Sequence, residues 1–324
     1  MRILVTGGAG FIGSHYVRSL LGNDLLGRAV ERLTVLDNLT YAGDKRNIAP
    51  HLADPRLTFV HGDISDPEVV GAVMAGQDVV VHFAAESHVD RSIAEASVFV
   101  RTNVLGTEVL LSAARRHEVG TFVHVSTDEV YGSLERGSWP ETDPVNPNSP
   151  YAASKASSDL LALAYHRTYG MDVRITRCSN NYGPYQFPEK VIPLFVTNLL
   201  EGKKVPLYGD GTNVRDWLHV DDHCRGIQLV LEKGQPGEIY NIGGGQELAN
   251  IELADLLLDA LGHGREMIEY VEDRKGHDRR YSVDWSKARA EIGYEPRHDF
   301  SSGLADTIDW YRENRDWWTA LKKR

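Results

Sequence analysis

The chain has 324 residues, of which 42% are hydrophobic and 25% are charged, a composition typical of a globular protein with a full core. The formal net charge of −11 argues against a surface for nucleic acid or anionic membrane, although a local arginine pair could still bind an anionic substrate. Only two cysteines, Cys178 and Cys224, are present, which predicts no disulfide framework and fits a reducing compartment. The chain opens on a strand pattern without a signal peptide, and no apolar run approaches the roughly 18 residues of a membrane span. We therefore expect a cytoplasmic protein with neither a membrane nor a nucleic-acid partner.

Short apolar runs alternate with amphipathic stretches of helical length through about the first 180 residues. The runs are rich in Val, Ile and Leu with little alternation, which is typical of strands covered on both faces. The predicted strands are 2–6, 33–37, 57–61, 78–83, 121–126 and 172–177, and the predicted helices between them include 11–21, 98–117 and 151–169. Alternating strands and helices predict an α/β fold with a doubly wound, parallel sheet of the Rossmann type.

The pattern changes after Arg177, where turn-rich segments predict long ordered loops. Helices are predicted again at 191–200, 221–232 and 251–261, and residues 237–243 are predicted to return one strand to the main sheet. We expect a dinucleotide-binding unit over 1–177, joined by that returning strand, and a smaller C-terminal cap over 178–324.

A glycine loop, Gly7-x-x-Gly10-x-x-Gly13, lies between the first predicted strand and the first predicted helix. Glycines at this spacing permit a tight turn and let backbone N–H groups approach a pyrophosphate at the helix N-terminus. Asp37 ends the next strand, and its carboxylate can accept hydrogen bonds from both ribose hydroxyls while repelling a 2′-phosphate. The loop therefore predicts NAD rather than NADP, against the alternative of an ordinary glycine turn. The pair Asp63-Ile64 could flank the adenine, or Asp63 could simply cap a helix or turn.

Tyr151 and Lys155 are four residues apart on a predicted helix and share one face. A nearby ammonium and a positive nicotinamide ring would stabilise the phenolate, and lowering the pKa of the phenol by about 3 units corresponds to about 4 kcal/mol. The phenolate could then take a hydroxyl proton while hydride leaves the same carbon. The alternative is that Tyr151 and Lys155 are two exposed helix residues without a role in chemistry. The preceding glycine loop and Ser126-Thr127 make this alternative less favoured.

Two adjacent carboxylates, Asp128 and Glu129, follow Ser126-Thr127 at the end of the fifth predicted strand. Redox chemistry does not require them, but an elimination from the same substrate needs one extra acid and one extra base. The combination predicts an internal redox dehydration rather than a simple dehydrogenation. Consecutive residues of a regular strand point to opposite faces, so both carboxylates can reach one substrate only if the strand ends there. The alternative is a pair of solvated carboxylates at the start of a loop.

These motifs resemble those of the extended short-chain dehydrogenase/reductase superfamily and, within it, the dTDP-glucose 4,6-dehydratases. The similarity runs essentially from end to end, and its most specific segments are 82–92, 127–129, 148–155, 177–186, 213–217 and 273–278. It implies conversion of dTDP-glucose to dTDP-4-keto-6-deoxyglucose by oxidation at C4, elimination of water across C5 and C6, and return of the hydride to C6. It also implies a tightly bound NAD that is regenerated in each turnover.

The resemblance implies roles for individual residues. The catalytic set is Thr127, Asp128 as the acid for the departing C6 hydroxyl, Glu129 as the base for the C5 proton, Tyr151 and Lys155. The implied cofactor-binding set is Gly7, Gly10, Phe11, Ile12, Gly13, Asp37, Asn38, Thr40, Asp63, Ile64, Phe83, Ala84, Ala85, Thr102, Tyr151, Lys155 and Asn181. The implied set for the sugar nucleotide, mostly in the cap, is Ser87, Thr127, Asn180, Glu189, Lys190, Pro206, Tyr208, Arg215, Asn250, Arg274, His277 and Tyr281.

For Asp128 to act as the acid, its pKa must rise from about 3.9 to about 7, which costs about 4 kcal/mol and which burial and a neighbouring carboxylate could supply. Two segments depart from the family pattern: 133–147 is short, and Leu248-Ala249 replaces a more polar pair. By analogy with the superfamily, we expect a homodimer built on helices 98–117 and 151–169.

Several alternatives remain open from the sequence alone. Other NAD-dependent sugar-nucleotide enzymes share the glycine loop and the Tyr/Lys pair, namely a UDP-glucose 4,6-dehydratase, a 4-epimerase and a UDP-glucuronate decarboxylase; Asp128 argues against the last two. A non-catalytic NAD-binding sensor is less favoured, because the complete catalytic set is present. His82 and His88 lack a metal-ligand spacing, so no metal site is predicted.

Overall fold

The computed structural model of the protein describes residues 1–22, 24–25 and 29–323, so the last residue of the predicted 178–324 segment lies outside it. Its strands are β1 Arg2–Thr6, β2 Arg32–Asp37, β3 Leu57–His61, β4 Val79–His82, β5 Thr121–Thr127, β6 Val173–Cys178, β7 Asn180–Tyr182, β8 Val205–Tyr208, β9 Val214–His219, β10 Ile239–Ile242, β11 Glu247–Ala249 and β12 Ile268–Val271. Its α-helices are α1 Phe11–Gly22, α2 Pro67–Met74, α3 Val89–Ala94, α4 Ala96–Phe99, α5 Gly106–Arg116, α6 Pro150–Tyr169, α7 Val191–Leu200, α8 Val220–Lys233, α9 Asn250–Leu261, α10 Ser286–Ile292, α11 Phe300–Glu313 and α12 Arg315–Leu321.

Seven of these strands form one parallel sheet in the order β10-β6-β5-β4-β1-β2-β3. Strands β2 and β3 lie on one side of β1, and β4, β5, β6 and β10 lie on its other side. The strand order therefore reverses between β1 and β4. The central strands are almost wholly buried because helices cover both faces, which is why their sequences show little alternation. The predicted doubly wound fold is confirmed.

The stretch predicted as one helix over 98–117 is instead three consecutive pieces. Helix α4 ends at Phe99, a π-helical segment covers Val100–Leu105, and α5 begins at Gly106. Within the π-helical segment, the buried Asn103 accepts from the backbone N–H of Glu86 at 2.9 Å and donates to the carbonyl of Glu86 at 3.0 Å. A π-helical turn adds a residue to the helix, and such turns occur frequently at functional sites. Hydrophobic periodicity carries no signal for this insertion.

The second half of the chain builds two smaller sheets and its own apolar cluster. Strands β11, β9 and β7 form one sheet, and β12 pairs with β8 in the other. Beside them, α7, α9, α11 and α12 bury a cluster that includes Phe195, Leu253, Tyr311, Trp317 and Trp318. Because β10 pairs with β6 in the large sheet, the two halves are joined through backbone hydrogen bonds. The described part of the chain contains no helix that is long and apolar enough to cross a membrane.

Candidate active site

A cleft of about 310 Å³ lies outside the carboxyl ends of the central strands, where the strand order reverses between β1 and β4. Open α/β sheets bind their ligands at this position, because loops from neighbouring strands diverge there. The cleft contains every residue of the predicted cofactor-binding and catalytic sets. Of the residues predicted to bind the sugar nucleotide, it contains Ser87, Thr127, Asn180, Glu189 and Lys190.

The glycine loop forms the floor of the cleft between β1 and α1. Gly7 has a φ of +71°, and a Cβ there would lie 2.6 Å from the backbone nitrogen of Ala84. A Cβ at Gly13 would overlap the carbonyl oxygen of Gly7, so a side chain at either position would displace the turn. Because the backbone at these glycines is free of side chains, a pyrophosphate can approach the N-terminus of α1 closely.

Asp37 ends β2 and is buried against the glycine loop. Its Oδ2 accepts from the N–H of Ala9 at 2.8 Å, and its Oδ1 accepts from the N–H of Leu39 at 2.8 Å. Burial raises the pKa of Asp37, and the two backbone donors oppose that shift. Each carboxylate oxygen can accept more than one hydrogen bond, so a ribose hydroxyl can still be bound by the same group.

The glycine loop, Asp37 and the residues around them fit a bound NAD. The floor is free of side chains where a pyrophosphate would lie, a carboxylate stands where a 2′-phosphate would be repelled, and Phe83, Ala84 and Thr102 line the wall beyond them. Asp63 accepts from the N–H of Ser65 at 2.8 Å and from Asn38 at 3.3 Å, so it forms a turn at the edge where an adenine would be held.

Both carboxylates of the pair reach the cleft because β5 ends at Thr127. A short 3₁₀-helix, Asp128–Tyr131, begins there, and the Thr127 hydroxyl caps it by accepting from the N–H of Glu129 at 3.2 Å. The turn removes the alternation that a continuing strand would impose. Asp128 is buried and Glu129 is half-buried, which excludes two solvated loop carboxylates.

Burial and neighbouring charge set the protonation of the two carboxyl groups. Burial, followed by the charges of Glu129 and Asp216, raises the pKa of Asp128 well above its usual range. Its Oδ2 has no hydrogen-bond partner among the described residues, while Oδ1 accepts weakly from Thr127 at 3.3 Å. Burial also raises the pKa of Glu129, which Lys190, Arg215 and Arg274 oppose. A protonated Asp128 beside a more ionised Glu129 is the arrangement that an acid–base pair needs.

The expected lowering of the Tyr151 pKa involves a bound nicotinamide as well as Lys155 and stays a prediction, whereas the chain's own groups act in the opposite direction. Burial and the nearby charge of Glu129 raise the pKa of Tyr151, with only a small opposing contribution from Thr127. The Lys155 ammonium donates to the carbonyl of Val125 at 2.8 Å, and burial lowers its own pKa to about 8. Burial and the charge of Glu129 therefore disfavour the phenolate, and a positively charged nicotinamide would stabilise it when the cofactor is bound.

A buried charged cluster behind Lys155 was not found from the sequence. Asp159 lies on α6, four residues beyond Lys155, and accepts from Nε of Arg177 at 2.9 Å. Nε2 of His124 lies 3.3 Å from Oδ1 of Asp159, and burial lowers the pKa of this histidine to about 4. The continued i, i+4 spacing from Tyr151 through Lys155 to Asp159 could have indicated it.

The remaining residues predicted for the sugar nucleotide lie outside the cleft lining: Pro206, Tyr208, Arg215, Asn250, Arg274, His277 and Tyr281. Several contact one another. The Arg215 guanidinium lies 4.2 Å from the ring centre of Tyr281, and that of Arg274 lies 5.2 Å from the ring centre of Tyr208. Arg274 also donates to both oxygens of Asp90 on α3, at 2.6 and 2.9 Å. The charges of Arg215 and Arg274 both act on Glu129, so these two arginines lie near the end of the cleft that holds the two carboxyl groups.

The histidines near β4 have ordinary partners. His82 lies between the hydroxyls of Thr6 and Thr107, at 2.7 and 3.0 Å. His88 caps α3 through the N–H of Arg91. In the described ranges, 1–22, 24–25 and 29–323, no group of three or more His, Cys, Asp or Glu is placed to hold a metal ion.

The fold and this cleft define a dinucleotide-dependent enzyme with two carboxyl groups beside a tyrosine. A family model described as GDP-mannose 4,6 dehydratase matches residues 4–307, and the chain belongs to that family. A dTDP-glucose 4,6-dehydratase of Streptomyces antibioticus is 66% identical over 325 residues, covering 100% of this chain and 96% of that protein.

Two solved structures complete the comparison. A dTDP-glucose 4,6-dehydratase from Streptomyces venezuelae, solved with NAD bound, is 64% identical and superposes with a TM-score of 0.98 over 99% of this chain and 100% of that one. A UDP-glucose 4-epimerase from Thermotoga maritima is 34% identical, with a TM-score of 0.89 over 97% of this chain and 100% of that one. The resemblance inferred from the motifs is confirmed.

Proposed function

We propose that the protein is an NAD-dependent hydro-lyase that converts dTDP-glucose to dTDP-4-keto-6-deoxyglucose. The observation that carries this proposal is the burial of Asp128 beside Glu129 in one cleft with Tyr151 and Lys155. An oxidation alone would use the tyrosine and lysine, whereas the two carboxyl groups provide the acid and the base of an elimination. The names of the most similar relatives agree with this activity.

NAD is the resident cofactor and supplies hydride acceptance from C4 of the hexose and hydride return to C6. Tyr151 takes the proton of the C4 hydroxyl, and the Lys155 ammonium, fixed on the Val125 carbonyl, adds positive charge beside it. The C4 ketone makes the C5 proton acidic; Glu129 removes this proton and gives one back to C5 when hydride adds to C6. Asp128, protonated because burial and Glu129 raise its pKa, gives its proton to the departing C6 hydroxyl as water.

The sugar nucleotide is proposed to extend from the two carboxyl groups toward Arg215 and Arg274. Ser87, Thr127, Asn180 and Lys190 line the cleft near the carboxylates and suit a hexose. Arg215 and Arg274 suit the pyrophosphate, since guanidinium groups match phosphate oxygens in geometry and charge. Within the described ranges, the buried Oδ1 of Asn180 and Oε1 of Glu189 have no hydrogen-bond partner, so these acceptors are available to sugar hydroxyls.

Incubation of the purified protein with dTDP-glucose carrying deuterium at C4 tests the proposal. We expect a 4-keto-6-deoxy product with the label at C6, formed without added NAD. A C4 epimer as the product would make the protein an epimerase, and loss of the label to solvent would exclude the internal return of hydride.

We also propose that the protein is a homodimer formed through α6 and the helical segment 96–105. Large apolar side chains are exposed there, among them Val100 at 54%, Leu105 at 49% and Leu160 at 56%. A second copy would remove these side chains from water. We expect Leu160→Glu to shift the mass measured by light scattering from dimer to monomer. Leu256→Glu, on the outer face of α9, is the matched control and should leave the mass unchanged.

The cytoplasm is the proposed location, since Cys178 and Cys224 are both free thiols. The producing cells can be fractionated and the protein detected by antibody in each fraction. Recovery of the protein outside the cytoplasmic fraction would contradict this location.

A further inference from the structure

Two loops meet across the mouth of the cofactor cleft although they leave distant strands. Residues 38–44 follow β2, and residues 183–190 follow β7, which comes one residue after β6. In the sheet, β2 and β6 are separated by β1, β4 and β5, so at about 4.8 Å per strand they are about 19 Å apart. The two segments, called here the closing loops, can touch only by extending over the carboxyl ends of the strands between them.

The closing loops do touch. The ring of Phe187 meets the ring of Tyr41 edge-on, with centres 5.5 Å apart. The guanidinium of Arg91, on α3, lies over the ring of Tyr41 at 3.8 Å and donates to Oε2 of Glu189 at 3.2 Å. One cationic side chain therefore holds a residue of each loop, and Tyr41, Phe187 and Glu189 all line the cleft whose floor is the glycine loop.

The loop of residues 183–190 is also anchored at its far side. The ring of Tyr185 packs on Trp310 with centres 4.5 Å apart, and the Arg18 guanidinium lies 4.2 Å from the same ring centre. Tyr185 has a φ of +69°, a left-handed conformation that is costly for a residue with a side chain and that surrounding contacts must hold. Trp317 in turn donates to Asn47, and Asn47 donates to the carbonyl of Ala9 in the glycine loop. The roof and the floor of the cleft thus share one set of contacts.

We propose that Tyr41, Arg91 and Phe187 join the closing loops into a strap over the cleft that keeps the dinucleotide bound between the two hydride transfers. This inference rests on the proposed function, because only a reaction that returns the hydride to its own substrate gains from a cofactor that stays in place. None of the three residues is assigned to catalysis or to the sugar nucleotide. They act by closing the exit from the cleft.

The exchange rate of bound NAD tests the strap on the holoenzyme. Purified protein is diluted into excess isotopically labelled NAD, and the incorporation of label is followed by filtration. We expect Tyr41→Ala and Phe187→Ala each to accelerate exchange on the order of tenfold. Arg91→Ala should accelerate exchange about two- to fivefold, as an exposed cation–π contact implies. Tyr41→Phe keeps the ring and should exchange at the wild-type rate.

The double variant Tyr41→Ala with Phe187→Ala separates a strap from two independent contacts with the cofactor. If the two rings close one strap, removing either opens it, so the double variant should exchange no faster than the faster single variant. Independent contacts would multiply the two accelerations, and that result would overturn the proposal. Unchanged exchange in Arg91→Ala and both single alanine variants would also overturn it.

A matched control lies outside the cleft, where Arg115 sits 4.4 Å from the ring centre of Tyr169. Tyr169→Ala removes the same kind of ring from the same kind of guanidinium and should leave the exchange rate unchanged. Thermal unfolding of each variant identifies any that have lost their fold, and the exposed Arg91→Ala keeps the test decisive if a ring variant fails to fold. The strap is tested by NAD exchange and the proposed function by the dehydration assay. Either proposal can therefore be contradicted while the other is supported.

Discussion

The proposed catalytic residues and the arginines proposed to bind the sugar nucleotide are held in different ways. Tyr151 and Lys155 lie on the first turns of α6, and Asp128 follows directly on β5, so backbone hydrogen bonds of the main sheet and helix fix them. Arg215 and Arg274 come from β9 and from the loop after β12, and their guanidinium groups are positioned by side-chain and carbonyl partners. The proposed chemistry, which depends on tenths of an ångström, is thus on rigid elements, whereas the proposed phosphate recognition is on long side chains positioned by hydrogen bonds and ion pairs.

The largest effect is expected at the rigid group of residues. Tyr151→Phe should lower kcat per bound NAD by about 10²–10⁴-fold, because the proton acceptor for C4 oxidation is lost. Product formation and cofactor content are measured on the same preparation. Tyr131→Phe is the matched control, since the buried Tyr131 hydroxyl donates to Asn241 at 3.0 Å and lies outside the cleft lining. A loss of less than tenfold in Tyr151→Phe would remove the tyrosine from the chemistry.

The second effect concerns the charge of Lys155 in the cofactor-free chain. Because burial lowers the pKa of Lys155 from its ordinary 10.5 to about 8 in the folded chain, the unfolded chain binds more protons between these pH values. The free energy of unfolding should therefore rise with pH through this window, by about 3 kcal/mol in all from this group. Urea unfolding of the wild type and of Lys155→Met, compared from pH 7.5 to 10.5, isolates the contribution. If the difference in free energy of unfolding between the wild type and Lys155→Met did not change with pH, the Lys155 ammonium would not be buried as described.

A smaller effect on activity is expected at Arg274, whose guanidinium is positioned by the side chain of Asp90. Arg274→Lys keeps the charge and loses the planar pair of donors, so KM for dTDP-glucose should rise about 10- to 100-fold with kcat within about threefold. Asp90→Asn should raise KM less, because the guanidinium remains but loses its bidentate partner. The exposed Arg279→Lys is the control. A fall in kcat with KM unchanged would place Arg274 in the chemistry instead.

The same contrast explains how much the sequence could predict. Hydrophobic periodicity predicted the sheet, and the glycine spacing and the acidic strand ends indicated residues that the structure brings together in one cleft, because local backbone geometry dictates their positions. The π-helical segment at Val100–Leu105 and the pairing of Arg274 with Asp90 depend on contacts between residues far apart in the chain, which no local pattern encodes. The spacing of Tyr151 and Lys155 shows neither the depth of burial nor the approach of Glu129, which raise the pKa of Tyr151 in the chain alone, and the expected lowering with NAD bound stays a prediction.

The division of labour between Asp128 and Glu129 is tested most directly by exchange at C5 in deuterated water. In Glu129→Gln we expect C4 oxidation to persist and deuterium incorporation at C5 to be lost, since the base is gone. In Asp128→Asn, which removes only the acid, we expect C5 exchange to persist while elimination falls by about 10²–10⁴-fold. Deuterium entering C5 at the wild-type rate in Glu129→Gln would contradict the assignment of the two carboxylates.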